Sequence, residues 1–296
     1  MSPKQILRRA AHKSFLRDHR CSAAEIRPLT LNLIASAWLR LLSRPIGACS
    51  FPPGLPRCEV DKIFEELDYQ QTSLGELSLR RKRVATLGGL EVYEVKLNEG
   101  FLMSSMFHAV EDALADLGLA ELAPGDWDVV VGGLGLGYTA LAALAHPTVR
   151  SLLVVDLLEA VIGWHRNGIV PLGPKLTADP RCRFLHGDFF ALAMSAGGFE
   201  SGRRYHAVLL DIDHSPGDLL HERHGAFYSV AGLQAMAAHL HPGGVFAMWS
   251  EAPPDAEFLQ LLHEVFAFAR AEVVAFPNPI LGCDSESTVY VARASV

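Results

Sequence analysis

The sequence predicts an α/β protein built around a mostly parallel sheet, and three features of the chain support this. Apolar runs alternate with helical segments from Trp127 onward, up to a final pair of strands. The first run leads into a Gly-x-Gly-x-Gly loop at Gly133, Gly135 and Gly137, and a helix rich in alanine and leucine follows. A second apolar run then ends in Asp156. This order is typical of a nucleoside-binding βαβ unit.

The chain before this alternation divides into two parts. Residues 1–57 are basic and end in a proline-rich break, which predicts an N-terminal extension. Residues 58–103 predict a small β-rich domain, because apolar and polar positions alternate most cleanly from Leu90 to Leu97. Turn signals at Gly88-Gly89 and Asn98-Glu-Gly100 indicate antiparallel hairpins in this domain.

The third predicted domain, residues 104–296, holds the parallel sheet. Ser104 or Ser105 is the expected cap of a helix from about Met106 to Leu119. The last two strands are joined without a helix, which predicts a C-terminal antiparallel hairpin and a methyltransferase-type Rossmann-like sheet. Strands are expected at 128–131, 152–155, 182–186, 207–211, 245–249, 272–276 and 288–292, and helices near 138–145, 158–167, 225–239 and 255–268.

Composition narrows the range of functions. The net charge of −7 argues against nucleic acid as a main partner. The five cysteines include no Cys-x-x-Cys pair, which argues against disulfides and structural zinc and favours the cytoplasm. We expect no metal: His214, His221 and His224 are predicted to be solvated loop histidines. No apolar stretch near the N-terminus is long enough to span a bilayer, so no membrane partner is expected. A homodimer is compatible with the chain.

Acidic residues follow three successive predicted strands, and parallel strands place their carboxyl ends at one edge of the sheet. Asp156 is expected to accept hydrogen bonds from ribose hydroxyls. Asp188 is expected to accept from an adenine amino group, with Phe189 or Phe190 beside the ring. The alternative for Asp188 is an N-cap on the following helix.

Asp211 and Asp213 form the third acidic group, directly after a wholly apolar strand. Clustered carboxylates hold an ammonium ion or take a proton from an amine before it attacks; the alternative is a turn whose aspartates cap backbone amides. The glycine spacing, with no Lys, Arg or Ser after it to hold phosphate, favours an S-adenosyl sulfonium compound over a dinucleotide.

Several segments between about Phe64 and Arg293 follow one another in a recognisable order. They are Glu66-Leu-Asp-Tyr-Gln70, the glycine loop, Val155-Asp-Leu-Leu-Glu-Ala-Val-Ile162, Gly187-Asp188, Tyr205-His-Ala-Val-Leu-Leu-Asp-Ile-Asp213, Phe227-Tyr228 and Leu240-His-Pro-Gly-Gly244. In these segments the chain resembles spermidine synthases, the polyamine aminopropyltransferases. The resemblance implies decarboxylated S-adenosylmethionine as donor and a small-molecule amine as acceptor. It implies that Asp156 holds ribose, Asp188 holds adenine, Asp211 is the base and Tyr228 orients the amine with Asp213.

Two departures from the family keep alternatives open. Leu136 stands where the family's glycine loop carries an acid for the donor's ammonium, and the acidic turn Asp211-Ile-Asp-His-Ser-Pro216 is longer by one residue. The leading hypothesis is an aminopropyltransferase, supported by the Asp211–Asp213 cluster. An S-adenosylmethionine-dependent methyltransferase is the runner-up, favoured by Leu136. A non-catalytic nucleoside-binding homologue is the third hypothesis.

Overall fold

The structure, a computed structural model, describes residues 63–296. These residues form one compact unit that contains two β-sheets. The predicted N-terminal extension, residues 1–57, lies outside the described residues. The predicted boundary between residues 103 and 104 stays a prediction.

The smaller sheet is a four-stranded antiparallel meander with strands in chain order. Strand β3 has the predicted bounds, and the predicted turn after it holds Asn98 at a φ of 56°. The first strand was not predicted, because its polar residues hide the alternation. The strands are β1 (Phe64–Thr72), β2 (Gly75–Val84), β3 (Leu90–Leu97) and β4 (Gly100–Ser104).

The larger sheet has seven strands in the order β10-β11-β9-β8-β5-β6-β7. Strands β5 to β9 run parallel, and β11 pairs antiparallel with both β9 and β10. The predicted fold class is therefore confirmed. The strands are β5 (Trp127–Gly132), β6 (Val149–Asp156), β7 (Cys182–His186), β8 (Tyr205–Leu210), β9 (Leu240–Ser250), β10 (Phe268–Asn278) and β11 (Cys283–Arg293).

Helices cover both faces of the larger sheet, and the central strand β5 separates two hydrophobic clusters. Val129 and Val131 point into one cluster and Val130 into the other, as the alternation of a strand requires. The helices are α1 (Ala109–Leu119), α2 (Tyr138–Ala145), α3 (Glu159–Arg166), α4 (Gly173–Ala178), α5 (Phe189–Met194), α6 (Val230–Ala237) and α7 (Ala256–Val265). No helix in the described part of the chain is long and apolar enough to cross a membrane.

Helix α1 begins later than predicted, and neither predicted serine caps it. Its N-cap is His108, which makes no side-chain capping bond. The Ser104 hydroxyl instead accepts from the Met106 amide, and the Ser105 hydroxyl accepts from the Tyr93 amide of strand β3. The two serines stabilise the turn between β4 and α1, so they are not free to start the helix.

Other differences involve short elements. Helix α4 was not predicted, and helix α5 only as the helix that Asp188 would cap, because six residues show too little of a 3.6-residue period. The helix predicted over 225–239 is divided into a 3-10 turn, Glu222–Ala226, and helix α6, which Ser229 caps. Helix α3 also contacts the smaller sheet, since the Trp164 indole donates to Asp68 of β1 at 2.6 Å.

Candidate active site at the edge between strands β5 and β8

The glycine loop lies where β5 ends, beside β8, which is the point where the strand order reverses. All three glycines have left-handed backbone φ values of 92°, 48° and 94°. A Cβ at Gly133 would collide with the Asp211 carbonyl, and one at Gly135 would collide with the Met103 sulfur. Glycine is therefore required here by close protein contacts as well as by backbone conformation.

Asp156 holds the glycine loop from strand β6. One carboxylate oxygen accepts from the Leu134 amide at 2.9 Å, and the other accepts from the Leu158 amide at 2.8 Å. Burial raises the pKa of Asp156, while these backbone amides oppose that rise. The Gly135 amide also stabilises the charged carboxylate. Because a carboxylate offers about four acceptor sites, Asp156 still has acceptor capacity for ribose hydroxyls. The ribose role stays a prediction.

Asp188 caps helix α5, which was the alternative role considered for it. Its Oδ1 accepts from the Ala191 amide at 3.1 Å, and the cap leaves Oδ2 unused. Phe189 is buried in the core, where its ring packs on Gly132. The Phe189 ring faces protein on its Gly132 side, and its role beside adenine stays a prediction. Phe190 is also buried and stacks on the His224 ring, with centroids 4.0 Å apart.

Asp211 follows β8 and is half-buried. Its Oδ2 accepts from the Thr139 hydroxyl at 2.8 Å, and its backbone amide donates to the Gly132 carbonyl at 2.8 Å. Burial raises the pKa of Asp211, and the Thr139 hydrogen bond lowers it by a smaller amount. Thr139, in the first turn of α2, was not predicted as a site residue.

Glu111 of helix α1 faces Asp211 and was also not predicted as a site residue. It is half-buried, and its pKa is raised by burial first and by the charge of Asp211 second. Among residues 63–296, none of the ion pairs made by Lys or Arg involves Glu111 or Asp211. The site therefore brings two carboxyl groups together, and no Lys or Arg of residues 63–296 forms an ion pair with either of them.

Asp213 is only 2% exposed, and its partners use both carboxylate oxygens. Oδ1 lies 2.8 Å from His224 Nδ1 and accepts from the Leu220 amide at 2.8 Å, and Oδ2 accepts from the Tyr228 hydroxyl at 2.9 Å. Burial, together with the Asp213 charge and hydrogen bond, raises the pKa of Tyr228. Asp213 therefore fixes Tyr228 in position.

The prediction of solvated loop histidines is wrong for His224, which is buried. The reason is its pairing with Asp213 and its stacking on Phe190. His214 and His221 are half-buried. Among residues 63–296, no group of three or more His, Cys, Asp or Glu side chains is arranged to hold a metal ion.

Leu136 lies in the core and is 1% exposed. Its side chain belongs to the hydrophobic cluster beside α2 and α3, while its amide donates to the Met103 sulfur at 3.1 Å. An acid at this position would be buried among apolar side chains. The residue at position 136 therefore gives little support to the methyltransferase hypothesis.

Comparison with solved structures identifies the architecture. A spermidine synthase crystallised in complex with the transition state analogue AdoDATO superposes with a TM-score of 0.61 at 15% identity, covering 78% of this chain and 74% of that chain. The spermidine synthase from Thermotoga maritima gives a TM-score of 0.59 at 15% identity over 78% of this chain and 73% of that one. The chain has the spermidine synthase fold. No protein-family model matches it.

Two kinds of curated relative are similar in sequence. Putrescine N-methyltransferase 4 of Nicotiana tabacum is 25% identical over 233 residues, which cover 74% of this chain and 54% of the relative. Polyamine aminopropyltransferase 2 of Pseudomonas aeruginosa is 27% identical over 161 residues, or 51% of this chain and 43% of the relative. The chain thus spans about half the length of these relatives. Both are transferases, in agreement with the enzyme class predicted from the sequence.

Proposed function

We propose that the protein transfers an aminopropyl group from decarboxylated S-adenosylmethionine to a small amine of the putrescine type. One observation carries this proposal: Asp211 and Glu111 are two half-buried carboxyl groups with raised pKa values, and no Lys or Arg among residues 63–296 pairs with them. Buried charges are normally paired. An ammonium group of a substrate supplies the missing positive charge.

The chemistry requires a base. A free aliphatic amine resembles lysine, with a pKa near 10.4, so it arrives protonated and has no lone pair. Asp211 takes one proton from the ammonium; the freed nitrogen attacks the carbon next to the sulfonium. The new C–N bond forms as the C–S bond breaks, and the sulfur leaves as the neutral thioether methylthioadenosine. A raised pKa makes Asp211 a stronger base than an ordinary carboxylate.

The surrounding side chains favour a donor without a carboxylate. The strand ends beside the glycine loop carry Asp156, Asp188 and Asp211, with Glu111 opposite. The carboxylate of S-adenosylmethionine would add a negative charge to this region, whereas the decarboxylated donor brings only cationic groups. Asp156 and Asp188 would hold its ribose and adenine, and Tyr228, fixed by Asp213, would orient the amine.

Methyl transfer to an amine is the second candidate, because several relatives are putrescine N-methyltransferases. That reaction needs the same base, since its acceptor must also lose a proton. The two candidates differ only in the donor and in the group that moves.

The test compares Asp211→Asn with the wild type, using putrescine and each donor in turn. Asparagine cannot accept the proton, so transfer should fall roughly 10²–10⁴-fold, while methylthioadenosine should bind with nearly unchanged affinity. Asp218→Asn is the matched control, because Asp218 is an exposed acid on the same loop. If the wild type methylates the amine from S-adenosylmethionine but transfers no aminopropyl group, the second candidate replaces the first.

A further inference from the structure

His165 of helix α3 is a fully buried histidine that contacts the glycine loop. Its exposure is 0%, and its Nε2 lies 3.0 Å from the Gly135 carbonyl oxygen. Because a carbonyl only accepts, Nε2 must carry the hydrogen, which leaves Nδ1 as an unprotonated acceptor. Burial lowers the pKa of His165, and the Gly135 bond offsets this by less, so the neutral ring is favoured. Among the described residues, Nδ1 has no hydrogen-bond partner.

The protein chain closes around this ring. A Cβ at Gly137 would lie 2.8 Å from the His165 Cε1 and 3.6 Å from its Nδ1. The ring of Phe184 lies against the imidazole, with centroids 5.8 Å apart. The imidazole therefore cannot shift far without moving the glycine loop.

A histidine at such a position destabilises the folded protein. Burying an acceptor without a partner costs free energy, and an apolar side chain of similar size would avoid that cost. In return, His165 donates a hydrogen bond to the Gly135 carbonyl. Gly135 has a φ of 48°, and both of its neighbours are held in place: the Leu134 amide donates to Asp156 and the Leu136 amide donates to the Met103 sulfur. A requirement of the activity for one geometry of the glycine loop would explain why a destabilising histidine stands here.

We propose that His165 is a positioning residue, which fixes the Gly135 peptide and so sets the shape of the loop that receives the nucleoside donor. This inference rests on the proposed function only in assigning the donor to this loop. The residue acts through the loop backbone and touches no reacting atom.

Three variants test the proposal. His165→Leu removes the donor to Gly135, His165→Gln keeps an N–H near the position of Nε2, and His239→Leu is the matched control. His239 is also a buried histidine with an unpartnered ring nitrogen, but it packs on Gly198 and Phe199, away from the glycine loop. The measurements are the Kd for methylthioadenosine by calorimetry, the donor KM and kcat, the melting temperature, and hydrogen exchange of the Leu136 amide.

We expect His165→Leu to weaken methylthioadenosine binding and raise the donor KM about tenfold, the size of one hydrogen bond, with kcat within about twofold. His165→Gln should recover most of the affinity, and His239→Leu should lower only the melting temperature. Unchanged affinity in folded His165→Leu, or an equal loss in His239→Leu, would overturn the proposal. If the wild type binds no nucleoside, the proposed function fails. In that case hydrogen exchange decides the positioning role: faster Leu136 exchange in His165→Leu but not in His165→Gln supports it, and exchange in His165→Leu equal to that of the wild type overturns it.

Discussion

Thr139 donates a hydrogen bond to Asp211, the proposed base, which gives a testable prediction for Thr139→Val. Valine has nearly the shape of threonine, but it cannot donate to Asp211 Oδ2. The hydroxyl lowers the pKa of Asp211 against the rise caused by burial, because it stabilises the charged form. Its removal should therefore raise the Asp211 pKa further.

The size of the shift follows from the 2.8 Å contact between the Thr139 hydroxyl and the carboxylate. A hydrogen bond to a charged group contributes about 1.5–3 kcal/mol, and one pKa unit corresponds to about 1.4 kcal/mol. The expected shift is thus about one to two units. Asp211 must be ionised to accept a proton, so the acidic limb of the pH–rate profile should move to higher pH by that amount.

The assay is methylthioadenosine release from decarboxylated S-adenosylmethionine and putrescine, measured as kcat across pH. Thr139→Ser is the control, because it keeps the hydroxyl and should keep the acidic limb close to that of the wild type. The rate of Thr139→Val should approach the wild-type rate at high pH. An acidic limb that stays in place in folded Thr139→Val would show that Asp211 is not the titrating base.

Two further predictions concern the other acids. Asp156→Ala should weaken methylthioadenosine binding by about 1–3 kcal/mol, measured by calorimetry, because it removes both the proposed ribose acceptor and the bond to the Leu134 amide; unchanged affinity would contradict this role. The pKa of Glu111 in the folded state is raised above its ordinary value of 4.5. Between these two pKa values the unfolded state binds fewer protons than the folded state, so Glu111 favours unfolding increasingly as pH rises through this range. Glu111→Gln should therefore gain melting temperature relative to the wild type as pH rises through this range, and a constant difference in thermal scans would count against the acid pair.

The sequence predicted the large sheet well because its signals are local. Strand β7 and helix α2 have the predicted bounds. For helix α2 the reason is a run of alanine and leucine, which favours a helix whatever the rest of the chain does. The start of helix α1 was predicted wrongly, because it depends on a hydrogen bond between Ser105 and strand β3, twelve residues away. The bounds of an element are harder to predict when distant backbone groups set them.

The same distinction applies to the site. The acids at the strand ends were predictable, because parallel strands bring their carboxyl ends to one edge. Thr139 and Asp211 are 72 residues apart in sequence, and nothing in the local pattern around either residue indicates their hydrogen bond. Glu111 follows the ordinary preference for acids in the first turn of a helix, so its position opposite Asp211 emerges only from the fold.

Helix α3 makes the glycine loop and the smaller sheet mutually dependent. Trp164 bonds to Asp68 of β1, and the next residue, His165, bonds to Gly135. A substitution that moves strand β1 should therefore also move the glycine loop, because Trp164 and His165 are adjacent residues. During divergence of such an enzyme, changes in the smaller sheet would require matching changes near Gly135, and affinity for the nucleoside would vary with mutations far from it.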